Sequence, residues 1–341
     1  MATTLKDVAA YVGVHPSTVS RVLHGKENLK ISKETNDKIL KAVKKLNYVP
    51  DFTARALRMK KSFTIGLIVP DILNPYFARI VRRIEQLGFE NKYTVIVCNT
   101  EENQEKELLF LNQLISRGVD GVVLAPVQDR NDHIKDLIEK NIPLVLIDRI
   151  FDDIKVDSVI TNNAVSVINA VSHFVELGHK HIAFLRGQQN IYTIKNRLDG
   201  YLKALEKFNL KKNNKYIVGD GFEFEDGYKA TQELLSLKNV PTAIISSGGD
   251  LVTLGAIKAI YEKGLKIPED ISLISFFDSL YSPFLATPLT TISHFRKRIG
   301  EEAFNLLLKQ IDSKSKTNPK TICVDTKFEL RDSTAKPKEK N

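Results

Sequence analysis

Short hydroxyl side chains and a guanidinium share one side of a predicted helix near the start of the chain. They occupy helical spacings opposite Val19, Val22 and Leu23. Such groups hydrogen-bond to base edges and phosphates, and arginine binds guanine with paired bonds. The spacing therefore predicts a DNA-contacting surface on which Ser17 and Arg21 contact base edges. The outward residues are Pro16, Ser17, Thr18, Ser20, Arg21 and His24.

This surface belongs to the second of two short helices. Apolar residues recur on one face of the first helix, Gly13 interrupts it, and Pro16 suits the first position of the next. Two helices joined by a tight turn place a helix in the major groove of DNA. An amphipathic helix pair inside a larger helical domain would give the same pattern. The apolar face of the first helix consists of Leu5, Val8, Ala9 and Val12.

Positive charge is concentrated in the same part of the chain. Residues 1–61 hold thirteen Lys and Arg against five Asp and Glu, a net charge of +8, whereas the whole chain carries +9. A basic module on a nearly neutral body is typical of nucleic-acid binding, because neutralising phosphates supplies much of the affinity. The charge therefore favours a DNA-binding module over an amphipathic helix pair inside a larger helical domain.

A third helix is predicted over 33–46, and Tyr48-Val49-Pro50 and a short run over 51–58 follow it. The segment from Thr4 to Arg58 resembles the headpiece and hinge of the lactose and galactose repressor family, and the similarity continues to about Asp332. The motifs that carry the resemblance are DVAAYVGVHPSTVSRVL, YVPDFTARALR, TIGLIVPDILNPYF, VDGVVLAP, ELGHKHIAFLRG, RLDGYLKAL and IPEDISLISFFDSLYSPFLATPLTTI.

The resemblance implies that two copies of 51–58, one from each protomer, pack as helices in the minor groove at the operator centre. Leu57 would insert between base steps and kink the duplex, Ala56 would permit close approach, and Arg55 would meet phosphate. Core packing is the alternative role for Leu57. The DNA-contacting residues implied outside the second helix are Thr4, Lys6, Tyr48, Arg55, Ala56 and Leu57.

From Phe63 onward, buried strands alternate with amphipathic helices in two successive runs. This α/β pattern predicts two doubly wound parallel sheets with a cleft between them. The resemblance implies a periplasmic-binding-protein-like body crossed by the chain near 159–162, 290–294 and 326–329. The predicted domains are a helix-turn-helix headpiece (1–50), a hinge helix and linker (51–61), a body (62–332) and a disordered tail (333–341). Within the body, the N-subdomain spans about 62–161 and 293–325, and the C-subdomain about 162–290 and 326–332.

The composition is that of a globular protein with several domains. A chain of 341 residues is too long for a single hydrophobic core, and a hydrophobic content of 43% is enough to form the cores of two or three domains. The N-terminus lacks an apolar export segment and the apolar runs are strand-sized, so we expect neither export nor a membrane span. Cys98 and Cys323 lie in predicted strands, which favours buried, reduced thiols in a cytoplasmic protein.

Ligands of open α/β sheets bind beyond the carboxyl ends of the strands, so the loops there supply the candidate effector site. Arg197 is the leading candidate, because a guanidinium facing the cleft can donate paired hydrogen bonds to hydroxyls or a carboxylate. A surface salt bridge is the alternative role for Arg197. The candidates are Asp71, Asn74, Tyr76, Phe77, Asp148, Asn162, Thr193, Arg197, Phe222, Asp250 and Phe277.

Within the family, this predicted pocket is most similar to that of the purine-binding members, with two departures. Ile191 stands where those members have an arginine, and Phe277 stands where the family usually has an acidic residue. The cleft thus gains apolar surface and loses charge, which argues against assuming a purine and weakens a sugar assignment. The identity of the effector stays open.

Other function classes lack their signatures. The sequence contains no Gly-x-Gly-x-x-Gly, no phosphate loop, no Gly-x-Ser-x-Gly and no Cys-x-x-Cys, so no catalytic residue or cofactor is predicted. His179 and His181 lack companions for a zinc site. A periplasmic binding protein would need an export signal and no basic headpiece.

The sequence therefore predicts a homodimeric transcriptional regulator that binds a pseudo-palindromic operator, and it favours a repressor over an activator. A sugar, sugar derivative or purine-like effector in the cleft would control it. Whether the effector induces or corepresses depends on which conformation it prefers, and the sequence leaves that sign open. A tetramer and a protein coregulator also stay open, and no membrane partner is expected.

Overall fold

The computed structural model describes residues 3–23, 31–48, 61–313 and 318–338. The chain forms two compact units, Met1–Ser62 and Phe63–Asn341. We call these units the headpiece and the body.

Three helices make up the described part of the headpiece: α1 (Leu5–Val12), α2 (Pro16–Leu23) and α3 (Lys33–Lys45). Gly13 ends α1 at a φ of 74°, a left-handed conformation that glycine adopts without a Cβ penalty. The predicted helix-turn-helix is confirmed, and α3 ends one residue before its predicted limit. The buried core of the headpiece contains Val8, Ala9, Val19, Ile39, Ala42 and Tyr48.

The first sheet of the body has six strands, all parallel, in the order β11-β5-β4-β3-β1-β2. They are β1 (Thr64–Val69), β2 (Thr94–Asn99), β3 (Gly121–Leu124), β4 (Leu144–Ile147), β5 (Asp157–Thr161) and β11 (Thr321–Val324). Its helices are α4 (Pro75–Glu90), α5 (Gln104–Ser116), α6 (Asp132–Glu139) and α11 (Arg296–Asp312). Every residue of β3 and β4 is buried, as expected of central strands covered on both faces.

The second sheet also has six strands, in the order β12-β10-β9-β8-β6-β7, and only the β10–β12 pair among its described strands is antiparallel. They are β6 (Ile182–Leu185), β7 (Ile217–Val218), β8 (Ala243–Ser246), β9 (Ser272–Ser275), β10 (Thr290–His294) and β12 (Thr326–Glu329). Its helices are α7 (Asn163–Glu176), α8 (Tyr192–Lys207), α9 (Phe224–Leu235) and α10 (Asp250–Glu262). Short 3-10 turns lie at Asn214–Tyr216 and Ser282–Phe284.

The chain passes between the two sheets three times. It leaves the first sheet after β5, returns after β10 at the start of α11, and leaves again between β11 and β12 at Asp325. These crossings fall where the family resemblance implied them. Because β10 belongs to the second sheet and α11 packs on the first, the residues at their junction lie between the subdomains.

The predicted disorder of the tail is wrong for residues 333–338. Ser333 is fully buried, its hydroxyl donates to Leu273 O at 2.6 Å, and it accepts from Thr290 N at 2.8 Å. Lys338 pairs with Asp270 at 2.6 Å. The sequence carries no sign of these contacts, because the tail is polar and has no apolar periodicity. It is held instead by hydrogen bonds to backbone groups at the start of β9.

Both cysteines are free, but only Cys98 is partly buried. Cys323 is exposed, so the prediction of a buried thiol is wrong there, because β11 is an edge strand. Within the described residues, no helix is both long and apolar enough to cross a membrane.

Candidate functional site

Helix α2 presents a polar surface opposite the headpiece core. Ser17 and Arg21 are exposed, whereas Val19 between them is fully buried. His15 caps the helix: its Nδ1 accepts from Ser17 N at 3.2 Å and lies 2.8 Å from Ser17 Oγ. The partly exposed Pro16, Thr18 and Ser20 complete the surface.

Two predicted DNA contacts on α1 have different local roles. Asp7 N donates to the hydroxyl of Thr4 at 3.3 Å and Thr4 N donates to Asp7 Oδ2 at 2.8 Å, which forms a capping box at the start of α1, and the Thr4 hydroxyl also donates to Asp7 Oδ2 at 2.7 Å. Its side chain thus stabilises the helix directly. Lys6 is exposed and projects from the same turn.

Tyr48, a predicted DNA contact, belongs to the core of the headpiece. Tyr48 is 8% exposed and packs with Ile39 and Ala42 in the headpiece core, because the chain turns back after α3 and Tyr48 N donates to Val43 O at 3.0 Å. The remaining predicted contacts, His24, Arg55, Ala56 and Leu57, lie outside the described residues.

In the body, side chains from the carboxyl ends of several strands meet in the cleft between the sheets. Tyr76 lies in the first turn of α4 after β1, Asp148 follows β4, and Phe277 follows β9. Arg197 lies on α8, and His294 is the last residue of β10. All five are less than 10% exposed.

Arg197 is fixed by neutral acceptors and aromatic rings. Its Nε donates to Asn163 Oδ1 and its Nη1 to Ser247 O, both at 2.8 Å. The guanidinium carbon lies 4.1 Å from the ring centroid of Phe276 and 5.0 Å from that of Phe277. Burial lowers the pKa of Arg197 to about 10, although Asp148 opposes this shift. The contacts differ from those of a surface salt bridge.

Three rings line the same space. Phe277 stacks on His294 with centroids 5.3 Å apart, and Tyr76 meets both edge-on, at 6.0 Å and 5.4 Å respectively. Burial raises the pKa of Tyr76 well above its ordinary value, and the nearby carboxylate of Asp148 adds to the shift. The phenol is therefore a neutral hydrogen-bonding group at physiological pH.

The acidic side of the cleft is organised by Arg149. Its Nη1 and Nη2 donate to the two carboxylate oxygens of Glu102 at 2.7 Å and 2.5 Å, and its Nε lies 3.7 Å from Asp148 Oδ2. This bidentate pair orients the loop after β4, where Asp148 has a φ of 65°.

Several predicted effector residues have their side chains engaged locally. Asp71 Oδ1 accepts from Leu73 N at 2.8 Å, Asn74 Oδ1 accepts from Tyr76 N at 3.0 Å to cap α4, and Asn162 Nδ2 donates to Asp325 Oδ1 at 3.0 Å. Asp71 and Asn74 thus fix the backbone of the loop before α4, whereas Asn162 joins two of the segments that cross between the subdomains. Phe77 and Thr193 are buried, whereas Phe222 and Asp250 are partly exposed.

Sequence analysis missed Arg296 and His294, which a crossing brings into the cleft, and Gln128, which follows β3. Arg296 Nη2 donates to Asp278 O at 2.7 Å, and His294 precedes it at the β10–α11 junction. Gln128 accepts from Tyr192 N and donates to Ile150 O at 2.8 Å, so its amide links the two subdomains. A signal for Arg296 and His294 existed in the predicted crossing near 290–294. Among the described residues, no cluster of His, Cys, Asp and Glu is arranged to hold a metal ion.

Comparisons with known proteins agree with this architecture. Residues 62–331 match a family described as "periplasmic binding proteins and sugar binding domain of LacI family". Residues 4–51 match a family described as "bacterial regulatory proteins, lacI family". The HTH-type transcriptional repressors PurR of Histophilus somni and Haemophilus influenzae are each 36% identical to this chain. The matches cover 92% and 91% of this chain, and 93% and 92% of those relatives.

Solved structures give the same result. A lac repressor dimer bound to operator and the anti-inducer ONPF has a TM-score of 0.88 at 27% identity, covering 98% of this chain and 100% of that one. The transcriptional regulator CelR in complex with cellobiose has a TM-score of 0.74 at 26% identity, covering 97% and 99%. The resemblance inferred from the sequence is thereby confirmed. The chain belongs to the lacI family of bacterial regulatory proteins and is a DNA-binding transcriptional regulator.

Proposed function

We propose that this protein is a homodimeric repressor, acting in the cytoplasm, that binds a pseudo-palindromic operator and responds to a small molecule in the cleft of its body. The observation that carries the proposal is the surface of α2, where Ser17 and Arg21 are exposed on either side of the buried Val19. A short helix packed on one side and polar on the other fits the major groove.

Exposed apolar side chains in both subdomains support a dimer. Phe89 and Val97, on α4 and the edge strand β2, are 81% and 37% exposed, and Leu280 and Phe284 near the second sheet are 73% and 85% exposed. Large exposed apolar side chains suit a protein interface, and a second copy is the favoured partner because a lac repressor relative is a dimer on its operator. Two headpieces then match two half-sites.

Control by an effector follows from the cleft. A ligand between the sheets shifts the equilibrium between two arrangements of the subdomains only if it binds one arrangement more tightly than the other. The Gln128 contact with Tyr192 crosses this cleft, so at least one direct hydrogen bond depends on that relation. The ligand acts as an inducer or a corepressor according to the arrangement it prefers.

The decisive experiment is selection of bound sequences from a randomised duplex pool, with and without a panel of sugars, sugar phosphates and purines. We expect an enriched pseudo-palindrome, whose enrichment one ligand changes. Arg21→Ala should lose about 1–3 kcal/mol of discrimination between the enriched operator and random duplex, because an arginine–base contact is removed.

Lys6→Ala is the matched control, because it also removes one exposed positive charge from the headpiece. It should weaken binding to both duplexes alike. No enriched sequence under any condition would refute the proposed function, and equal losses for Arg21→Ala on both duplexes would make Arg21 a phosphate contact.

A further inference from the structure

Buried polar atoms without a hydrogen-bond partner at normal distance and angle are concentrated in the cleft, although the Asp148 carboxylate lies near Tyr76 and the Ile292 carbonyl near His294. Seven of the nine such side-chain atoms in the described part of the chain belong to residues that surround Arg197 and Phe277. A buried polar group without a partner costs free energy, so a concentration of them at one place indicates a site that binds something polar. The seven atoms are Tyr76 Oη, Arg149 Nε, Ser247 Oγ, Asp250 Oδ1, His294 Nδ1, His294 Nε2 and Arg296 Nε.

Two guanidiniums at this place lack a carboxylate partner. Arg197 donates to Asn163 Oδ1 and Ser247 O, and Arg296 donates to Asp278 O, all of which are uncharged acceptors. In the described chain, neither arginine forms an ion pair within 4.0 Å, whereas neighbouring Arg149 has its bidentate bond to Glu102. Both are buried, at 3% and 7% exposure.

The two charges act on a common space. Arg197 lies over the rings of Phe276 and Phe277, and Arg296 bonds the carbonyl of Asp278, the residue after Phe277. Burial lowers the pKa of His294 and both guanidiniums add to that shift, whereas both oppose the rise that burial causes in the pKa of Tyr76. Burial lowers the pKa of both guanidiniums, which is the effect of holding a cation away from water without a bonded anion. Asp148 opposes this lowering for Arg197, and Asp250 and Asp278 oppose it for Arg296, but Asp148 lies against Arg149, Asp278 pairs with Arg331, and none of the three carboxylates is within 4.0 Å of either guanidinium.

We propose that the effector is a small anion whose carboxylate or phosphate group binds Arg296 and Arg197, and whose remaining part is flat and packs among the rings of Tyr76, Phe277 and His294. This inference rests on the proposed function of the cleft. The acid would bring the counter-charge that the two guanidiniums lack, and its oxygens would accept from Arg296 Nε and the hydroxyl of Tyr76.

The rest of the pocket favours a flat ligand over a neutral polyol. Phe277, with His294 stacked on it and Tyr76 edge-on, makes this part of the cleft aromatic, and Ile191, 4% exposed immediately before α8, is apolar as well. A neutral sugar presents many hydroxyl donors that need acceptors, and phenylalanine and isoleucine supply none at these two positions. Arginine and aromatic groups together fit an acid carried on a ring.

The test compares each acid with its neutral partner by ligand-observed NMR on the full-length protein. The probe pairs are benzoate with benzamide, phenyl phosphate with phenol, and glucose 6-phosphate with glucose. We expect at least one ring-borne acid to bind about tenfold more tightly than its neutral partner, the size expected of a charge-assisted hydrogen bond. The benzoate and phenyl phosphate arms distinguish a carboxylate from a phosphate site.

Arg296→Gln should remove the preference for the acid, and Arg296→Lys, which retains the charge, should keep most of it. Lys297→Gln, an exposed position on the same helix, is the control and should change nothing. Thermal unfolding of each variant verifies that it is folded. Equal binding of acid and neutral partner, binding unaffected by Arg296→Gln, or no binding of any acid would overturn the proposal.

Operator binding measured on the same samples separates this proposal from the proposed function. If a neutral sugar alone alters operator affinity, the anion proposal fails and the regulator stands. If no operator is bound at all, the proposed function fails.

Discussion

At the scale of single residues, His294 links packing to ionisation. The imidazole is 6% exposed, stacked on Phe277, and flanked by the guanidiniums of Arg197 and Arg296. Burial lowers the pKa of His294 well below 6.5, and the two positive charges lower it further. The folded protein therefore holds this side chain neutral at pH values where the unfolded chain protonates it.

We expect the free energy of unfolding to fall as pH drops below about 6.5, because the unfolded chain then binds a proton that the folded state does not. The loss approaches about 1.4 kcal/mol per pH unit until the folded pKa is reached. His294→Phe keeps a ring against Phe277 and removes the titration, so its unfolding free energy should depend less on pH.

Urea unfolding of the two proteins between about pH 5 and pH 7.5 measures this difference. Burial also lowers the pKa values of His173 and His179, but both remain in the variant, so the difference isolates His294. Identical pH dependence in the two proteins would contradict the prediction.

At the scale of elements, α9 and α10 approach each other so closely that glycines are required at their contact. A Cβ on Gly227 would lie 2.1 Å from Val252 O, and one on Gly255 would lie 2.1 Å from Phe224 O. Neither contact can be relieved by moving a side chain, because each neighbouring atom is backbone. The glycines set the distance between these two helices.

Gly255→Ala should therefore lower the free energy of unfolding by about 1–3 kcal/mol, the usual cost of overpacking, even though alanine is the better helix former. Gly300→Ala on α11 is the comparison variant and should lower the free energy of unfolding less, since its nearest contacts would be about an ångström longer, Arg83 Cβ at 3.1 Å and Ile80 O at 3.2 Å. Chemical unfolding compares the two variants, and a Gly255→Ala protein as stable as the parent would show that the helices can separate at little cost.

At the scale of the whole molecule, the two subdomains are joined by three crossings and by side-chain contacts across the cleft. Gln128, on the loop after β3, accepts from Tyr192 N at the start of α8. The contact depends on the present relation of the two sheets. Its loss would favour arrangements in which the cleft is wider.

We expect Gln128→Ala to accelerate hydrogen exchange at the Tyr192 amide by about five- to tenfold, which corresponds to the loss of one hydrogen bond of about 1 kcal/mol. Gln128→Glu retains an oxygen acceptor and should exchange more slowly than the alanine variant. The amides of β3 report global unfolding and should not change. Unaltered exchange at Tyr192 in Gln128→Ala would show that this contact does not hold the subdomains together.

The sequence by itself determined the kinds of elements and their order. Apolar spacing in 5–23 specified two helices and the polar surface between Pro16 and Arg21, and alternating strands and helices specified two parallel sheets. Local periodicity carries this information because it records which face of each element is buried. The position of Arg197 in the cleft could also be predicted from the sequence, since it lies on the helix that follows a strand.

Only the tertiary structure decided which of these side chains meet. Arg296 and His294 join Tyr76 because the chain returns from the second sheet to the first after β10, and periodicity carries no record of such long-range encounters. For the same reason Tyr48 became core, Asn74 became a cap, and residues 333–338 packed beside β9. Which side chains are buried and which groups they bond to depends on how the elements pack. Residue spacing therefore predicts the helices and strands, but only the packed structure shows which residues form the site.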